Sequence, residues 1–276
     1  MKIKSYESDN IDFYYNKAPS NKIIEMAKYC LENINISNKY FEPVKMSSQR
    51  QVFKVNIGSE NYYFKKYNYR NLEKRIKNIF RKSSAYRAFK ISNELIEKRI
   101  TVVKPILAAE YKHSPIKIDS VFITKDFGGI NLQDFLAYKN YSQKEKKKII
   151  IELAKLWAKL YKNNYINGDP NLPGVLLNFD DGLQLSFVDV DNFKQVIYLS
   201  EKRIIRNLAK FNAHSYSGLA KMDGKKLNHE DRKLFLHYIL KLYKNRDFNN
   251  IDQNIKNETL NILKKWDKDN LFKRCN

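Results

Sequence analysis

Two aspartates in the segment 165–194, YINGDPNLPGVLLNFDDGLQLSFVDVDNFK, lie in apolar surroundings. Asp169 comes shortly after the apolar residues Tyr165 and Ile166. Asp189 interrupts a run of aliphatic and aromatic residues. A buried carboxylate costs free energy unless it is paired, and a bound cation is one such partner. Each aspartate also has an ordinary explanation, because Asp169 can cap a turn and Asp189 can end a strand at the surface. The residues that accompany the two aspartates decide between these interpretations.

A lysine and the two aspartates occur in the order that phosphoryl transfer from ATP requires. In kinases, a lysine on a strand holds the phosphates, a loop aspartate accepts the proton of the acceptor hydroxyl, and another aspartate holds Mg²⁺. Here Lys65 ends the predicted strand YYFK, and Asp169 follows an amphipathic helix. Asp189 comes 20 residues after Asp169, across a predicted hairpin that would return the chain to the loop. The set predicts phosphoryl transfer, and the alternative is a structural role for each residue.

The N-terminal half contains the elements that would carry the lysine. Apolar periodicity predicts a helix over 21–34, a hairpin over 49–67 and a second helix over 83–99. Two more strands are expected over 102–111 and 119–127. Lys65 therefore belongs to the second strand of a hairpin within a β-rich region.

The C-terminal half is mostly helical by pattern. The strongest helix prediction covers 142–164, where Ser142 and Glu145 have the spacing of a capping box. A hairpin over 175–190 follows around an Asp-Gly turn, and helical patterns continue beyond Ser200. This order predicts an α+β protein of two unequal lobes, a small β-rich N-lobe and a mostly helical C-lobe.

The composition is that of a globular protein, since 43% of the 276 residues are hydrophobic and 13% are aromatic. No run of about 18 apolar residues predicts a membrane-spanning helix, and the start of the chain lacks an apolar signal core. Cys30 and Cys275 give neither a disulfide framework nor the spacing of metal ligands. We therefore expect a reduced, cytoplasmic protein.

The net charge of +22 predicts a partner with many negative charges: nucleic acid, an anionic membrane surface or a phosphorylated substrate. The alternative is a lysine-rich composition in which most of the charge is solvated. No recognised nucleic-acid motif is present, so no nucleic-acid partner is expected. The segment 65–90 holds ten Lys or Arg and one acid, with apolar residues at helical spacing. This pattern is typical of a helix that lies on an anionic membrane surface. It is equally typical of an ordinary helix whose apolar side packs on the core.

Several stretches of the chain resemble one known family. They are SSAYRAFKISNELIEKRITVVKPILAAE, NGDPNLPGVLL, FVDVDNF, RNLAKF and DRKLFLHYI, between Ser48 and Tyr238. The resemblance is to the lipopolysaccharide kinase family. These bacterial kinases have a protein-kinase-like fold and phosphorylate Kdo or core heptose. It implies ATP and Mg²⁺ as cofactors, and lipopolysaccharide or a lipid A–core glycolipid as the substrate. It also implies a peripheral location on the cytoplasmic face of the inner membrane.

The resemblance assigns roles to individual residues. Lys65 would bind the phosphates, Asp169 would be the catalytic base, and Asp189 and Asp191 would hold the metal. Glu94 is the nearest helix carboxylate that could pair with Lys65.

The resemblance also implies a layout of the chain. We expect a hinge near 124–127 to offer groups to the adenine, and the cofactor-binding residues assigned there are Thr124, Lys125 and Asp126. The expected parts are an N-terminal extension over 1–39, an N-lobe over 40–123 and a C-lobe over 124–276. The two lobes together would make one bilobal domain.

Three departures from the family pattern affect the expected site. Asn167 stands where the family has histidine, and Gly174 stands where a metal-binding asparagine should follow the catalytic aspartate by five residues. Asn171 is a nearby amide that could replace this ligand, and we assign it to the metal. The stretch SSQRQVFKV takes the place of a Gly-rich phosphate loop. A catalytically impaired pseudokinase, or another small-molecule or protein kinase of the same superfamily, remains the alternative.

Overall fold

The computed structural model describes residues 2–33, 36, 39–68, 82–114, 117–243 and 248–273. The chain divides into two compact units. The N-terminal unit comprises Met1–Glu97 and Val102–Phe127, and the C-terminal unit comprises Lys98–Thr101 and Gly128–Asn276. The first is built around a sheet and the second is mostly helical, as the α+β pattern predicted.

An antiparallel sheet dominates the N-terminal unit. Its strands are β1 (Lys4–Ser8), β2 (Ile11–Tyr15), β3 (Phe41–Met46), β4 (Arg50–Ile57), β5 (Glu60–Tyr67), β6 (Pro105–Ser114) and β7 (Lys117–Lys125). Their spatial order is β1-β2-β6-β7-β5-β4-β3. The predicted hairpin over 49–67 is confirmed as β4 and β5, and Gly58 in its turn has a φ of +66° that favours glycine. The sheet therefore holds the strand of Lys65 next to β7.

Two helices cover opposite faces of this sheet. α1 (Asn21–Glu32) packs on the face that carries Phe13. α2 (Ser84–Glu97) packs on the other face, where the ring of Tyr86 contacts the ring of Tyr14. Because successive strand residues point to opposite faces, Phe13 and Tyr14 mark the two sides.

The first part of the chain belongs to the same sheet. β1 and β2 form a hairpin, and β2 pairs with β6. The turn between them holds Asp9 and Asn10 at φ values of 55° and 62°, the left-handed conformations of a tight hairpin turn. The sequence pattern left open how 1–39 packs, and it did not predict β1, β2 or β3. The division at residues 39 and 123 stays a prediction. The last residue of the N-terminal unit is Phe127, and the C-terminal unit resumes at Gly128.

The C-terminal unit is a set of helices around an aromatic core. They are α3 (Leu132–Tyr138), α4 (Gln143–Lys162), α5 (Glu201–Ala220), α6 (His229–Tyr243), α7 (Phe248–Lys265) and α8 (Asn270–Lys273). The predicted capping box opens α4, since Ser142 and Glu145 bind each other's backbone N–H. Trp157 of α4 is fully buried against the rings of Phe187 and Phe211. These helices form the support for the loop of Asp169.

Short strands flank the acidic residues. They are β8 (Ile130–Asn131), β9 (Tyr165–Asn167), β10 (Val175–Asn178), β11 (Gln184–Phe187) and β12 (Phe193–Gln195), with a 3-10 turn over Leu172–Gly174. The predicted hairpin is present as β10 and β11. The prediction that its second strand continues to Val190 is wrong, because β11 ends at Phe187. The Val188 N–H still donates to the Gly174 carbonyl at 3.1 Å, which extends the hairpin pairing by one position. Asp189 thus lies in a connecting segment.

The basic segment 65–90 cannot be followed through, because 69–81 lie outside the described residues. The helix expected there therefore stays a prediction. In the part of the chain that the structure describes, no helix combines the length and the apolar character needed to cross a bilayer.

Candidate active site

Two consecutive lysines on β5 have different surroundings. Lys66 is 1% exposed, and its Nζ donates to the carbonyl oxygens of Cys30 at 2.6 Å and Asn33 at 2.7 Å, at the end of α1. Burial lowers the pKa of Lys66. Lys65 points to the opposite face, with its Nζ 5.5 Å from the ring centre of Tyr67. Lys65 is therefore the lysine on the α2 face of the sheet, as its predicted role requires.

The predicted acidic partner of Lys65 lies on the helix that covers the same face. Glu94 is in the second half of α2, and its Oε1 is 3.7 Å from Nζ of Lys90, one turn earlier. Since α2 packs on the face to which Lys65 points, the two side chains share one side of the sheet. Their pairing stays a prediction.

The predicted hinge, 124–127, overlaps the end of β7. Thr124 and Lys125 close that strand, and Asp126 comes next. The Lys125 N–H donates to the Lys104 carbonyl, and the Asp126 N–H donates to the Asn61 carbonyl, each at 2.9 Å. Because these two N–H groups are used inside the N-terminal unit, contacts from Lys125 and Asp126 to adenine would involve their carbonyl oxygens. Adenine binding by this segment stays a prediction.

The loop of Asp169 and the segment of Asp189 are joined through their backbones. β9, which leads into the loop, pairs antiparallel with β12, which follows the acidic segment. Directly beyond this pair, the Gly168 N–H donates to the Asn192 carbonyl at 2.8 Å. The C-terminal unit therefore brings together Asp169 on one segment and Asp189 and Asp191 on the other.

Asn167, at the position of the expected histidine, holds the loop from inside. It is 3% exposed, and its Oδ1 accepts the Asp169 N–H at 2.9 Å. Its carbonyl oxygen accepts from Nδ2 of Asn207 on α5 at 2.6 Å. The Tyr161 hydroxyl on α4 donates to Oδ1 of Asn207 at 2.9 Å, and burial raises the pKa of Tyr161, which keeps it a donor. This chain of hydrogen bonds fixes the loop to two core helices.

α5 presents two nitrogen groups to Asp169. Nζ of Lys210 donates to the Gly168 carbonyl at 2.6 Å and lies 3.6 Å from Oδ1 of Asp169. Nε2 of His214 lies 3.5 Å from the same oxygen. The Asp169 side chain is 48% exposed. Because both contacts involve Oδ1, the second carboxylate oxygen is the one available to an acceptor hydroxyl.

His214 is neutral at neutral pH. Burial lowers its pKa, Asp169 opposes this effect, and the ammonium groups of Lys210 and Lys268 add to it. Its ring packs on the ring of Trp266, with 4.9 Å between centroids. The positive charge beside Asp169 is therefore supplied by Lys210, and His214 acts as an uncharged neighbour.

Asn171 occupies the space beside the glycine that replaces the expected asparagine. Its Oδ1 accepts the Gly174 N–H at 2.8 Å, and its Nδ2 donates to the Asp169 carbonyl at 3.0 Å. A Cβ atom added to Gly174 would lie 3.1 Å from that Oδ1. The amide of Asn171 thus lies where a side chain at residue 174 would begin. An amide oxygen has two lone pairs, so one remains for a cation.

The donor set of the loop suits magnesium. Asp189 and Asp191 are partly buried in the segment between β11 and β12, and Asn171 adds an amide oxygen on the neighbouring loop. Carboxylate and amide oxygens are hard ligands, and Mg²⁺ commonly takes one or two carboxylates together with substrate phosphates. Within the described ranges, no three His, Cys, Asp or Glu side chains group closely enough to hold a metal by themselves. The set fits an ion that is shared with a nucleotide.

Three residues of this arrangement were missed by the sequence reasoning. They are Asn207, Lys210 and His214, all on α5. Their spacing of three and then four residues puts them on one face of a helix, and polar residues on the inner face of an amphipathic helix are the signal that could have indicated them.

Two comparisons with known proteins found matches to this chain. The sequence model of the lipopolysaccharide kinase (Kdo/WaaP) family matches residues 41–238. Among solved structures, the chain is similar to WaaP in complex with acyl carrier protein, with 15% identity and a TM-score of 0.57, over 82% of this chain and 88% of that one. At this identity the likeness concerns the fold, and it confirms the predicted kinase-like fold.

No curated protein sequence matches the chain significantly. The family match nevertheless covers more than half of the 276 residues, and it includes Lys65, Asp169 and Asp189. The chain therefore belongs to the lipopolysaccharide kinase (Kdo/WaaP) family.

Proposed function

We propose that this protein transfers the γ-phosphoryl group of ATP to a sugar hydroxyl of lipopolysaccharide, on Kdo or on a core heptose. Family membership supports a lipopolysaccharide kinase. The observation that carries the proposal is the setting of Asp169. Its carboxylate is half exposed, and one oxygen faces Lys210 and His214 while the other is available to the acceptor.

The proposed roles follow from this setting. Asp169 accepts the proton of the acceptor hydroxyl as that oxygen attacks the γ-phosphorus. Lys65 holds the phosphates of ATP, and Glu94 orients Lys65. Asp189, Asp191 and Asn171 would hold Mg²⁺, which neutralises negative charge on the phosphates when it is bound.

Two contacts favour an active enzyme over an impaired pseudokinase. Asn167 replaces the expected histidine, yet it still holds the loop through the Asp169 N–H at 2.9 Å. Asn171 brings an amide oxygen within 3.1 Å of the missing side-chain position at Gly174. Two of the three departures from the family pattern, at Asn167 and Gly174, therefore have a neighbouring group that can take over the missing role.

The proposed location is the cytoplasmic face of the inner membrane. The net charge of +22 suits a phosphorylated glycolipid in an anionic leaflet, since basic residues are attracted to such a surface. The acceptor would then be reached from the membrane surface by a peripheral protein.

An acyl carrier protein is a proposed protein partner, because the similar solved structure is a complex with one. The C-terminal unit has a mostly apolar cavity of about 60 Å³, which has room for only the tip of an aliphatic chain. Apolar side chains from the six helices α3 to α8 line most of it, among them Leu153, Leu208, Phe211, Leu236 and Ile255. Gel filtration with apo and acylated carrier protein checks this, and we expect only the acylated form to co-elute.

Nucleotide binding followed by turnover tests the proposed function. We expect calorimetry to detect ATP binding that requires Mg²⁺, and label from [γ-³²P]ATP to enter lipid A that carries Kdo or Kdo with heptose. No ATP binding would support the pseudokinase alternative. ATP binding with transfer only to a protein or a small soluble acceptor would support another kinase of the superfamily.

A further inference from the structure

The start of α5 and the loop before it combine exposed apolar and basic side chains. Ile197 is 102% exposed, and the neighbouring Tyr198 is 65% exposed. The segment 194–210 contains five basic residues and a single acid, Glu201. The basic residues are Lys194, Lys202, Arg203, Arg206 and Lys210, and all but the half-buried Lys210 are exposed.

The exposure of Ile197 is imposed by fixed neighbours. The Val196 N–H donates to the Asn164 carbonyl at 2.8 Å on one side. On the other side, Leu199 is buried, and Nη1 of Arg203 donates to the Tyr198 carbonyl at 3.2 Å. The loop is therefore anchored at both ends and presents Ile197 and Tyr198 outward. Among the residues that the structure describes, Ile197 is the most exposed large apolar side chain.

A basic row connects this loop with the catalytic carboxylate. Lys202, Arg206 and Lys210 recur every four residues, which puts them in one row along α5. Lys210 ends the row beside Asp169, 3.6 Å from its Oδ1. Lys202 and Lys210 are eight positions apart, which corresponds to about 12 Å along the helix axis. A short sugar chain is therefore long enough to extend from the exposed loop to Asp169.

We propose that this surface, residues 194–206, docks on an anionic lipid bilayer. Ile197 and Tyr198 enter the headgroup region, where aliphatic and aromatic side chains are stabilised, and Lys202 and Arg206 bind lipid phosphates. The charge of the segment is complementary to an anionic surface, and the exposed isoleucine suits a lipid interface better than a nucleic-acid backbone. The inference rests on the proposed function, because it brings Asp169 close to the surface that holds a glycolipid acceptor.

Cosedimentation with vesicles tests this surface. The probes are phosphatidylcholine vesicles with and without phosphatidylglycerol, at low and high salt. The first variant is Ile197→Ser with Tyr198→Ser, and the second is Lys202→Gln with Arg206→Gln. The matched control, Lys144→Gln with Lys148→Gln, removes the same charge from exposed positions at the start of α4.

We expect the wild type to bind only the anionic vesicles, and high salt to release it. Both test variants should lower the partition coefficient at least about tenfold, and the control should change it less than about threefold. Equal binding to neutral vesicles, no binding to anionic ones, or an equal loss in the control would overturn the proposal. Arg206→Glu alone repeats the charge test if a double variant fails to fold.

Binding of Mg·ATP by the wild type is measured in parallel. Surface-dependent vesicle binding without nucleotide binding would contradict the proposed function and leave the docking surface standing. Nucleotide binding and turnover without vesicle binding would contradict the docking surface and leave the proposed function standing.

Discussion

The N–H of Gly168 donates to the carbonyl oxygen of Asn192 at 2.8 Å, and this bond joins the two acidic segments of the site. A Cβ atom added to Gly168 would lie 2.8 Å from that same oxygen, which belongs to the backbone and cannot rotate away. The close approach of the segments therefore depends on glycine at residue 168. The separation of Asp169 from Asp189 and Asp191 is set partly by this contact.

Gly168→Ala should impair both stability and catalysis. Overpacking of this kind costs about 1–3 kcal/mol, and a displaced catalytic group can lower the rate about 100-fold. We expect a lower melting temperature and a kcat reduced at least about tenfold, measured by calorimetry and phosphate transfer. Gly218→Ala is the control, because its added methyl group meets only the flexible end of Gln133. Wild-type turnover by Gly168→Ala would show that the two segments need not approach so closely.

Lys210 should act on the chemical step through Asp169 and its loop. Its Nζ bonds to the Gly168 carbonyl and lies 3.6 Å from Oδ1 of Asp169. Since hydrogen bonds from charged groups contribute about 1.5–3 kcal/mol, Lys210→Met should lower kcat about 10- to 100-fold. We expect little change in KM for ATP and partial recovery in Lys210→Arg. The control is Lys155→Met, an exposed position on α4.

A structural role alone would give Lys210 a different signature. It would lower the melting temperature, leave kcat per folded molecule unchanged, and make the arginine variant no better than methionine.

His214 should make the protein less stable in mild acid. Burial lowers its folded-state pKa, so the unfolded chain binds more protons as the pH falls below about 6.5, and the free energy of unfolding decreases. The charged groups that face it are Asp169, Lys210 and Lys268. His214→Phe keeps the packing on Trp266. Urea unfolding should show that this variant loses less free energy of unfolding than the wild type between pH 7 and about pH 5.5. His237→Gln, at an exposed position, is the control. An unchanged pH slope in His214→Phe would contradict the prediction.

The buried ion pair of Lys146 and Asp231 should be a stability element of the C-terminal unit. Their side chains are only 6% and 9% exposed. Asp231 also accepts the Asn228 N–H at 2.9 Å at the start of α6. Lys146→Met leaves a buried charge unpaired, which costs about 3–5 kcal/mol in the free energy of unfolding. Asp231→Asn in the same chain removes that charge and keeps the capping oxygen, so we expect the double variant to recover most of the loss. Equal stability of the single and double variants would contradict this account.

The fold was predictable where the local signals were strong. The capping box of Ser142 and Glu145 and the leucine spacing located α4, and the Asp-Gly turn located the hairpin of β10 and β11. The β1–β2 hairpin was missed because its turn is Asp9-Asn10, a weaker signal than a turn with glycine. β3 contains Pro43 and exposed residues, so it lacks the alternation of a half-buried strand.

The site was predictable in part. Asp169 and Asp189 are close enough in the chain for their hairpin to indicate a common site. Lys210 and His214 reach Asp169 from a helix that begins 32 residues after it, so their contact depends on tertiary packing. The sequence reasoning assigned the phosphate-binding role to Lys65 and did not consider its neighbour Lys66. In the structure Lys66 binds the end of α1, and the role of Lys65 stays a prediction.

The most direct test of the account compares phosphate transfer by the wild type, Asp169→Asn and Asp189→Asn, with [γ-³²P]ATP and a lipid A–core acceptor. Asp169→Asn removes the proposed base, so transfer should fall at least about 100-fold with Mg·ATP affinity nearly unchanged. Asp189→Asn removes a proposed metal ligand, so it should weaken Mg·ATP binding as well as transfer. Transfer by Asp169→Asn at the wild-type rate would contradict the central claim that Asp169 is the catalytic base of a sugar kinase.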